Sequence, residues 1–203
     1  MTDDTYLTIE NPSKGFYKDK GSKFIALAWP VDNEEQIQEI LTSVKKEYYD
    51  ARHHCYAWIL GHEGDHYRVN DDGEPSGTAG KPIYGQLLSA GLSNIFVVVV
   101  RYFGGIKLGV RGLIDAYKGA TMDALQNATL VTKILYDHFQ IDFDYFSMND
   151  VMKVLKDNDL QQYDHQFDLN CSLKYKVRKS VSRQILETLE AIDQVMVSRI
   201  SED

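Results

Sequence analysis

Only two cysteines occur among the 203 residues, and Cys55 and Cys171 stand alone, without the paired spacing of a zinc or redox motif. The sequence therefore predicts neither a disulfide framework nor a cysteine zinc site. Long apolar runs are also missing, since the longest, residues 95–100, is far below the roughly 20 residues of a membrane-spanning helix. The first residues, MTDDTY, lack the basic and apolar regions of an export signal, so we expect a cytoplasmic protein without a membrane anchor.

A strong positive charge is absent as well. The formal net charge of −8 argues against binding to a nucleic-acid backbone through overall charge. Residues 77–120 differ, because they carry one acid, Asp115, and five bases, a local net charge of +4 that favours an anion. These bases are Lys81, Arg101, Lys107, Arg111 and Lys118. The alternative is that they pair with the acids of the neighbouring loop: Asp71, Asp72 and Glu74.

What the chain does contain is a regular succession of short strands and helices, which predicts an α+β fold. A first domain, residues 1–135, has strand patterns at 6–10, 16–19, 24–31, 54–60, 66–69 and 94–102, of which the first three form a meander. The IFVVVV run within the last of these strands does not alternate, so we expect a central strand covered on both faces.

Three helices are expected in the same domain. Asp32 and Glu35 have the spacing of a capping pair for the first helix, and Pro82 begins the second. The third follows the glycine-rich segment and runs to about Asn127. Its spacing directs five apolar side chains inward: Val110, Leu113, Ile114, Tyr117 and Leu125.

A second domain, residues 136–203, repeats the pattern on a smaller scale. Strands are expected at 136–145, 162–169, 172–177 and 195–200, and helices at 147–157 and 180–192. This strand–helix–strand–strand–helix–strand order, βαββαβ, predicts a ferredoxin-like domain.

The glycine-rich segment RYFGGIKLGVRG, residues 101–112, follows the central strand and opens the long helix. Backbone amides and the helix dipole bind anions at such a place. Its glycines do not fit the dinucleotide fingerprint, and Val110 stands where a P-loop needs lysine, so we expect neither nucleotide motif and no bound cofactor. The residues predicted to bind an anion are Lys81, Arg101, Gly104, Gly105, Lys107 and Arg111.

The acidic loop DDGEPSGTAGKP, residues 71–82, precedes the second helix. Five of its polar residues are expected to face the anion site: Asp71, Asp72, Glu74, Ser76 and Thr78. Asp72 and Glu74 have the chemistry of an acid/base pair, although carboxylates in turns more commonly act as caps. Ser76 does not stand in a nucleophile elbow, so no catalytic residue is predicted.

Four histidines lie close together in the sequence: His53, His54, His62 and His66. Consecutive strand residues point to opposite faces, so His53 and His54 do not share one metal site. A two-histidine site of His62 and His66 is the alternative to ordinary structural histidines, and no metal is predicted.

Four long segments resemble the YigZ proteins of bacteria, which are related to the eukaryotic translational regulator IMPACT. They are KGSKFIALAWPV (20–31), ARHHCYAWIL (51–60), NDDGEPSGTAGKPI (70–83) and VVVVRYFGGIKLGVRGLIDAY (97–117). The resemblance covers about residues 15–130, and residues beyond 136 are similar to the small C-terminal domain of the bacterial members.

This resemblance implies that the first domain has the fold shared by a ribosomal small-subunit protein, domain IV of elongation factor G and the GHMP kinases. It implies a second domain like domain V of that factor. In the eukaryotic relatives the implied role is binding an activator of a starvation-responsive initiation-factor kinase, which sustains translation. No catalytic residue is carried over by the resemblance.

The leading hypothesis is therefore a cytoplasmic binding or regulatory protein related to translational control, which binds RNA, a nucleotide or a translation-associated protein. The alternative is an enzyme acting on a phosphorylated substrate, with the bases holding phosphate and Asp72 or Glu74 as acid/base. A third hypothesis is a protein-interaction scaffold that uses the acidic second domain, whose net charge is −5.

Overall fold

The computed structural model describes residues 4–167 and 171–201 and combines helices with antiparallel sheets. The predicted α+β class is confirmed. The chain divides into two compact units, one of Tyr6–Lys133 and one that joins Ile134–Asp203 with the start of the chain through Thr5. Among the described residues, no helix has both the length and the apolar character needed to cross a membrane.

A five-stranded antiparallel sheet forms the middle layer of the Tyr6–Lys133 unit. Its strands are β2 (Ser13–Asp19), β3 (Ser22–Pro30), β4 (His53–Leu60), β5 (His66–Asn70) and β6 (Ile95–Tyr102). They are ordered β2-β3-β6-β4-β5, so β6 is central, and it is buried from Ile95 to Arg101. The prediction of a covered central strand from the IFVVVV run is therefore confirmed.

Helices cover both faces of this sheet. On one face, α1 (Glu34–Glu47) packs Ile37, Leu41 and Val44 against the sheet. On the other face, α2 (Gly80–Ser89) and α3 (Gly109–Gln126) share a core that includes Ile83, Leu113 and Tyr117. Burial of apolar side chains on both faces explains why β6 lacks alternation.

Two details of this unit differ from the sequence predictions. Helix α1 is capped by Asn33, whose side chain accepts a hydrogen bond from the Gln36 amide at 2.9 Å. This cap lies one residue further along the chain than the predicted pair of Asp32 and Glu35. The predicted meander is also wrong, because β1 (Thr5–Ile9) pairs with β7 (Leu130–Ile134) in a separate two-stranded sheet. Strand β7 was not predicted, since its pairing joins segments over 100 residues apart.

The second unit contains the expected βαββαβ order. Its elements are β8 (Tyr136–Phe143), α4 (Met148–Asp157), β9 (Gln161–Phe167), β10 (Cys171–Arg178), α5 (Lys179–Glu190) and β11 (Val195–Ile200). The antiparallel sheet has the order β11-β8-β10-β9, which is the ferredoxin-like arrangement, with its own core around Ile141, Leu173 and Tyr175. The predicted end of the β9 strand, Leu169, lies outside the described residues.

Candidate functional site

A cleft of about 500 Å³ lies in the Tyr6–Lys133 unit, where β6 ends and α3 begins. The charged side chains that line it are Arg52, Glu74, Arg101 and Lys107, and His53 stands beside them. Apolar side chains complete the wall: Pro75, Phe103, Leu108, Val110 and Leu113. A concave site that combines apolar surface with a few converging polar groups is the usual form of a ligand-binding site.

Strand register brings these residues together. Strands β4 and β6 are antiparallel with His53 opposite Arg101, so Arg52, which directly precedes β4, lies at the end where β6 stops. The chain then leaves β6 through residues 103–108 and enters α3 at Gly109, which also lines the cleft. The cleft is therefore built where a central strand delivers the chain to a helix N-terminus.

Gly104 and Gly105 have backbone roles beside this cleft, and neither lines it. The Gly104 amide donates to Ser22 Oγ at 3.1 Å, and a Cβ at Gly104 would lie 1.9 Å from the carbonyl carbon of Gly21. Gly105 has φ of +89°, a left-handed conformation that favours glycine. Their predicted part in anion binding stays a prediction.

The carboxylate of Asp71 caps α2. Its Oδ1 accepts from the amides of Ala79 (3.0 Å) and Gly80 (2.8 Å), and its Oδ2 accepts from Gly77 at 2.8 Å. The N-cap residue of α2, Ala79, supplies no side-chain cap of its own. Asp71 therefore satisfies backbone donors at the positive end of the helix dipole.

Asp72 points to strand β4 and is absent from the cleft lining. Its Oδ2 accepts from the His54 amide at 2.6 Å, and its carbonyl oxygen lies 2.8 Å from His53 Nδ1. Because a carbonyl only accepts, Nδ1 of His53 carries the proton in this contact. The acid/base role considered for Asp72 finds no support in this arrangement.

Glu74 is buried and lies at the centre of a hydrogen-bonded network. Its Oε1 accepts from Arg101 Nη1 at 2.5 Å and from the Tyr117 hydroxyl at 2.9 Å. The Cys55 thiol lies 3.2 Å from the same hydroxyl. Burial is the main cause that raises the pKa of both Cys55 and Tyr117, so these two groups stay neutral beside the ion pair.

The guanidinium of Arg101 has unused hydrogen-bonding capacity. Arg101 is 7 % exposed, and its Nε donor has no partner in the part of the chain that the structure describes. Its Cζ lies 5.5 Å from the ring centre of Phe24 and 5.7 Å from that of Phe103, which are cation–π distances. A buried donor without a partner costs free energy and is rare in native proteins.

The other predicted bases are not neutralised by the acidic loop. Within residues 4–167 and 171–201, Lys81, Lys107 and Arg111 form no ion pair with a described residue. The alternative in which the loop acids pair with these bases is therefore wrong, with Arg101 as the exception. Lys107 lines the cleft, whereas Lys81 and Arg111 are exposed in the first turns of α2 and α3, outside its lining.

Ser76 and Thr78, the other two loop residues predicted to face the site, do not line the cleft. Thr78 is buried, and its hydroxyl donates to the carbonyl of Pro75 at 2.7 Å, while Ser76 is exposed.

The two histidines considered for a metal site contact acidic side chains instead of each other: His62 contacts Glu63 at 3.6 Å and His66 contacts Glu34 at 3.2 Å. The described residues contain no group of three or more His, Cys, Asp or Glu side chains arranged to hold a metal ion.

Sequence reasoning missed several residues of this site. Arg52 and Phe103 were not singled out, although pairing RHHCYAW with VVVVRYF as adjacent strands would have placed them together. The inward prediction for Val110 is wrong: it is 60 % exposed, because the cleft and not the apolar core lies against it.

The fold and cleft thus define an α+β protein of two compact units, in which the Tyr6–Lys133 unit has a cleft of apolar surface with a few charged groups. The chain belongs to the IMPACT family, because the model of the Impact N-terminal domain matches residues 20–125. Every residue that lines the cleft falls within this matched segment.

Individual relatives agree with this assignment. The chain is 40 % identical over 138 residues to the IMPACT family member YigZ of Escherichia coli, covering 67 % of this chain and 68 % of that protein. It is 36 % identical over 155 residues to the family member YvyE of Bacillus subtilis, covering 76 % and 71 %. A crystal structure described as a hypothetical protein superposes with a TM-score of 0.73 at 30 % identity, covering 98 % of this chain and 99 % of that one.

Proposed function

We propose that this protein is a cytoplasmic binding or regulatory protein related to translational control, and that its cleft binds RNA. Membership of the IMPACT family supports the link to translation. One observation carries the RNA ligand: the cleft unites Arg52 and Lys107, which have no acidic partner among the described residues, with an exposed aromatic ring. Positive grooves with stacking aromatics are the common means of binding single-stranded nucleic acid.

The charges and the ring are favourably placed. Among the described residues, Glu74 is the one carboxylate that lines the cleft, and it is already paired with Arg101. Arg52 and Lys107 form no ion pair with a described residue. Phe103 is 51 % exposed at the same place, where a base can stack on its face. Cations at the rim bind phosphates and the ring binds a base.

The enzymatic alternative has less support from the same geometry. Of its two acid/base candidates, Asp72 is bound to the β4 backbone, and Glu74 is committed to Arg101 and Tyr117. Turnover of a phosphorylated metabolite that is lost in Glu74→Gln would reverse this ranking.

The proposal is tested by fluorescence anisotropy of a labelled single-stranded oligoribonucleotide at several salt concentrations. We expect saturable binding that weakens with salt. A Lys107→Ala, Arg111→Ala variant removes one cation of the lining and the exposed base next to Val110 in the first turn of α3, and it should bind at least tenfold more weakly with a smaller salt slope. Lys118→Ala is the matched control, because it removes an exposed charge from the same helix, further along α3.

Two outcomes would contradict the proposal. One is RNA binding that is absent or insensitive to salt. The other is the same loss of affinity in Lys118→Ala as in the double variant, which would indicate attraction by overall charge. Co-purification of a translation-associated protein without RNA would favour the protein partner instead.

A further inference from the structure

We infer that the cleft selects a nucleoside phosphate monoester, as a dianion, over an internal phosphodiester. The 5′ end of an RNA and a free nucleoside 5′-monophosphate share this chemistry. The inference rests on the proposed RNA binding at this cleft and specifies which part of the RNA occupies it.

The first observation is the bare N-terminus of α3. Its N-cap residue, Leu108, makes no side-chain cap, and its first turn contains no acidic residue. The first amides of a helix lack intrahelical acceptors, so the amide of Val110, which lines the cleft, is available to an anion there. Gly109, with φ of +74°, forms the turn that leads into the helix. The 18 residues of α3 give this end a full helix dipole.

The second observation is independent of the helix. Arg101 lines the same cleft, is more than nine-tenths buried, and has an Nε donor without a partner among the described residues. Glu74 occupies Nη1 of the guanidinium and leaves Nε unused. In this structure Nε is covered, so a small shift of the guanidinium toward the cleft would let an anionic oxygen there supply the missing acceptor. Guanidinium groups bind phosphate through two adjacent donors.

The charges of the lining favour a dianion. Arg52, Arg101 and Lys107 carry three positive charges against the single negative charge of Glu74, so these four groups have a formal net charge of +2. A phosphate monoester carries close to two negative charges above its second pKa of about 6, whereas an internal phosphodiester carries one. The monoester therefore neutralises the cleft and the diester leaves it positive.

The dimensions of the cleft fit the end of an RNA better than a continuous RNA strand. A cleft of about 500 Å³ is in the range of small-molecule sites and has room for about one nucleotide. Phe103 and Val110, both more than half exposed, offer apolar surface for the base beside the anion site.

The test compares two oligoribonucleotides of one sequence, one with a 5′-phosphate and one with a 5′-hydroxyl, at constant salt. We expect the 5′-phosphate to bind at least tenfold more tightly, and this ratio to shrink between pH 7.5 and pH 5.5 as the monoester gains a proton near pH 6. A nucleoside 5′-monophosphate serves as competitor. Competition at the affinity of the oligonucleotide assigns the site to the free nucleotide, and weaker competition assigns it to the RNA end.

A variant tests the helix terminus itself. Val110→Asp places a carboxylate in the first turn of α3, where it favours folding through the dipole and competes with the ligand anion. We expect Val110→Asp to lose the preference for the 5′-phosphate. Met122→Asp adds the same charge at an exposed position later in α3 and should retain the preference.

Equal binding of the two oligonucleotides by the unmodified protein would overturn this inference and leave RNA binding intact. Binding of neither would overturn the proposed function together with the inference. A preference that survives Val110→Asp unchanged would exclude the N-terminus of α3 as the site of the phosphate.

Discussion

The acidic loop, residues 71–82, and the glycine-rich segment, residues 101–112 (the basic segment), each contribute residues to the cleft wall. They use their charges in opposite ways. Each carboxylate of the loop is bound within the protein: Asp71 by three amides, Asp72 by the His54 amide, and Glu74 by Arg101 and Tyr117. In the segment, Arg101 is paired, whereas Lys107 and Arg111 have no ion-pair partner among the described residues.

The charge of a segment, read from its sequence, therefore does not reveal whether the protein uses that charge internally. Short acidic side chains next to a helix start and a strand find backbone donors within reach, and burial then makes those bonds necessary. Long basic side chains keep their charged ends in water at little cost. The loop therefore serves stability, and the basic segment is left for a ligand.

Glu74→Ala is the change that should disturb this arrangement most. It leaves Arg101 buried without its partner and removes the acceptor of the Tyr117 hydroxyl. We expect the free energy of unfolding to fall by about 3 to 5 kcal/mol, measured by urea denaturation. The exposed Glu63 provides the matched control, Glu63→Ala. A loss below about 1 kcal/mol would show that the pair is replaceable by water, contrary to a buried structural role.

Asp71→Ala should have the next largest effect, because three amides lose their acceptor and α2 loses its cap. We expect a loss of about 2 kcal/mol in the free energy of unfolding. Asp71→Asn should cost less, since its one amide oxygen can still accept the bonds of Ala79 and Gly80. Ser76→Ala, an exposed change in the same loop, should leave the midpoint of urea denaturation unchanged. Equal losses for Asp71→Asn and Asp71→Ala would argue that charge, rather than the hydrogen bonds, is responsible.

Much of the fold could be predicted from local pattern. Apolar spacing indicated α1 and α3, the unbroken IFVVVV run indicated the central strand, and the element order indicated the ferredoxin-like unit. The pairing of β1 with β7 could not be predicted in this way, because β7 contains no strong alternation and its partner is distant in sequence. The α1 cap was misplaced by one residue, since Asp32 and Asn33 are both good capping residues.

The candidate site was harder to predict, because it depends on register. The residue types were recognised, but the contact between Glu74 and Arg101 requires the packing of the acidic loop over the end of β6. Arg52 enters the site through the pairing of β4 with β6, which no local pattern encodes. Helical periodicity predicts Val110 to face inward, but periodicity does not reveal that a cleft replaces the core at the first turn of α3.

Removing two bases of the basic segment should change stability least, and it matters whether the free energy of unfolding rises or falls. Arg111 lies in the first turn of α3, and Lys107 precedes the helix by two residues, where the dipole disfavours positive charge. We expect Lys107→Ala with Arg111→Ala to raise the free energy of unfolding slightly, by about 0.5 kcal/mol, while RNA affinity falls. Lys118→Ala, in the interior of α3, should change neither. A clear loss of stability in the double variant would instead mean that these bases serve the fold, like the carboxylates of the loop, and that the two regions do not differ in role.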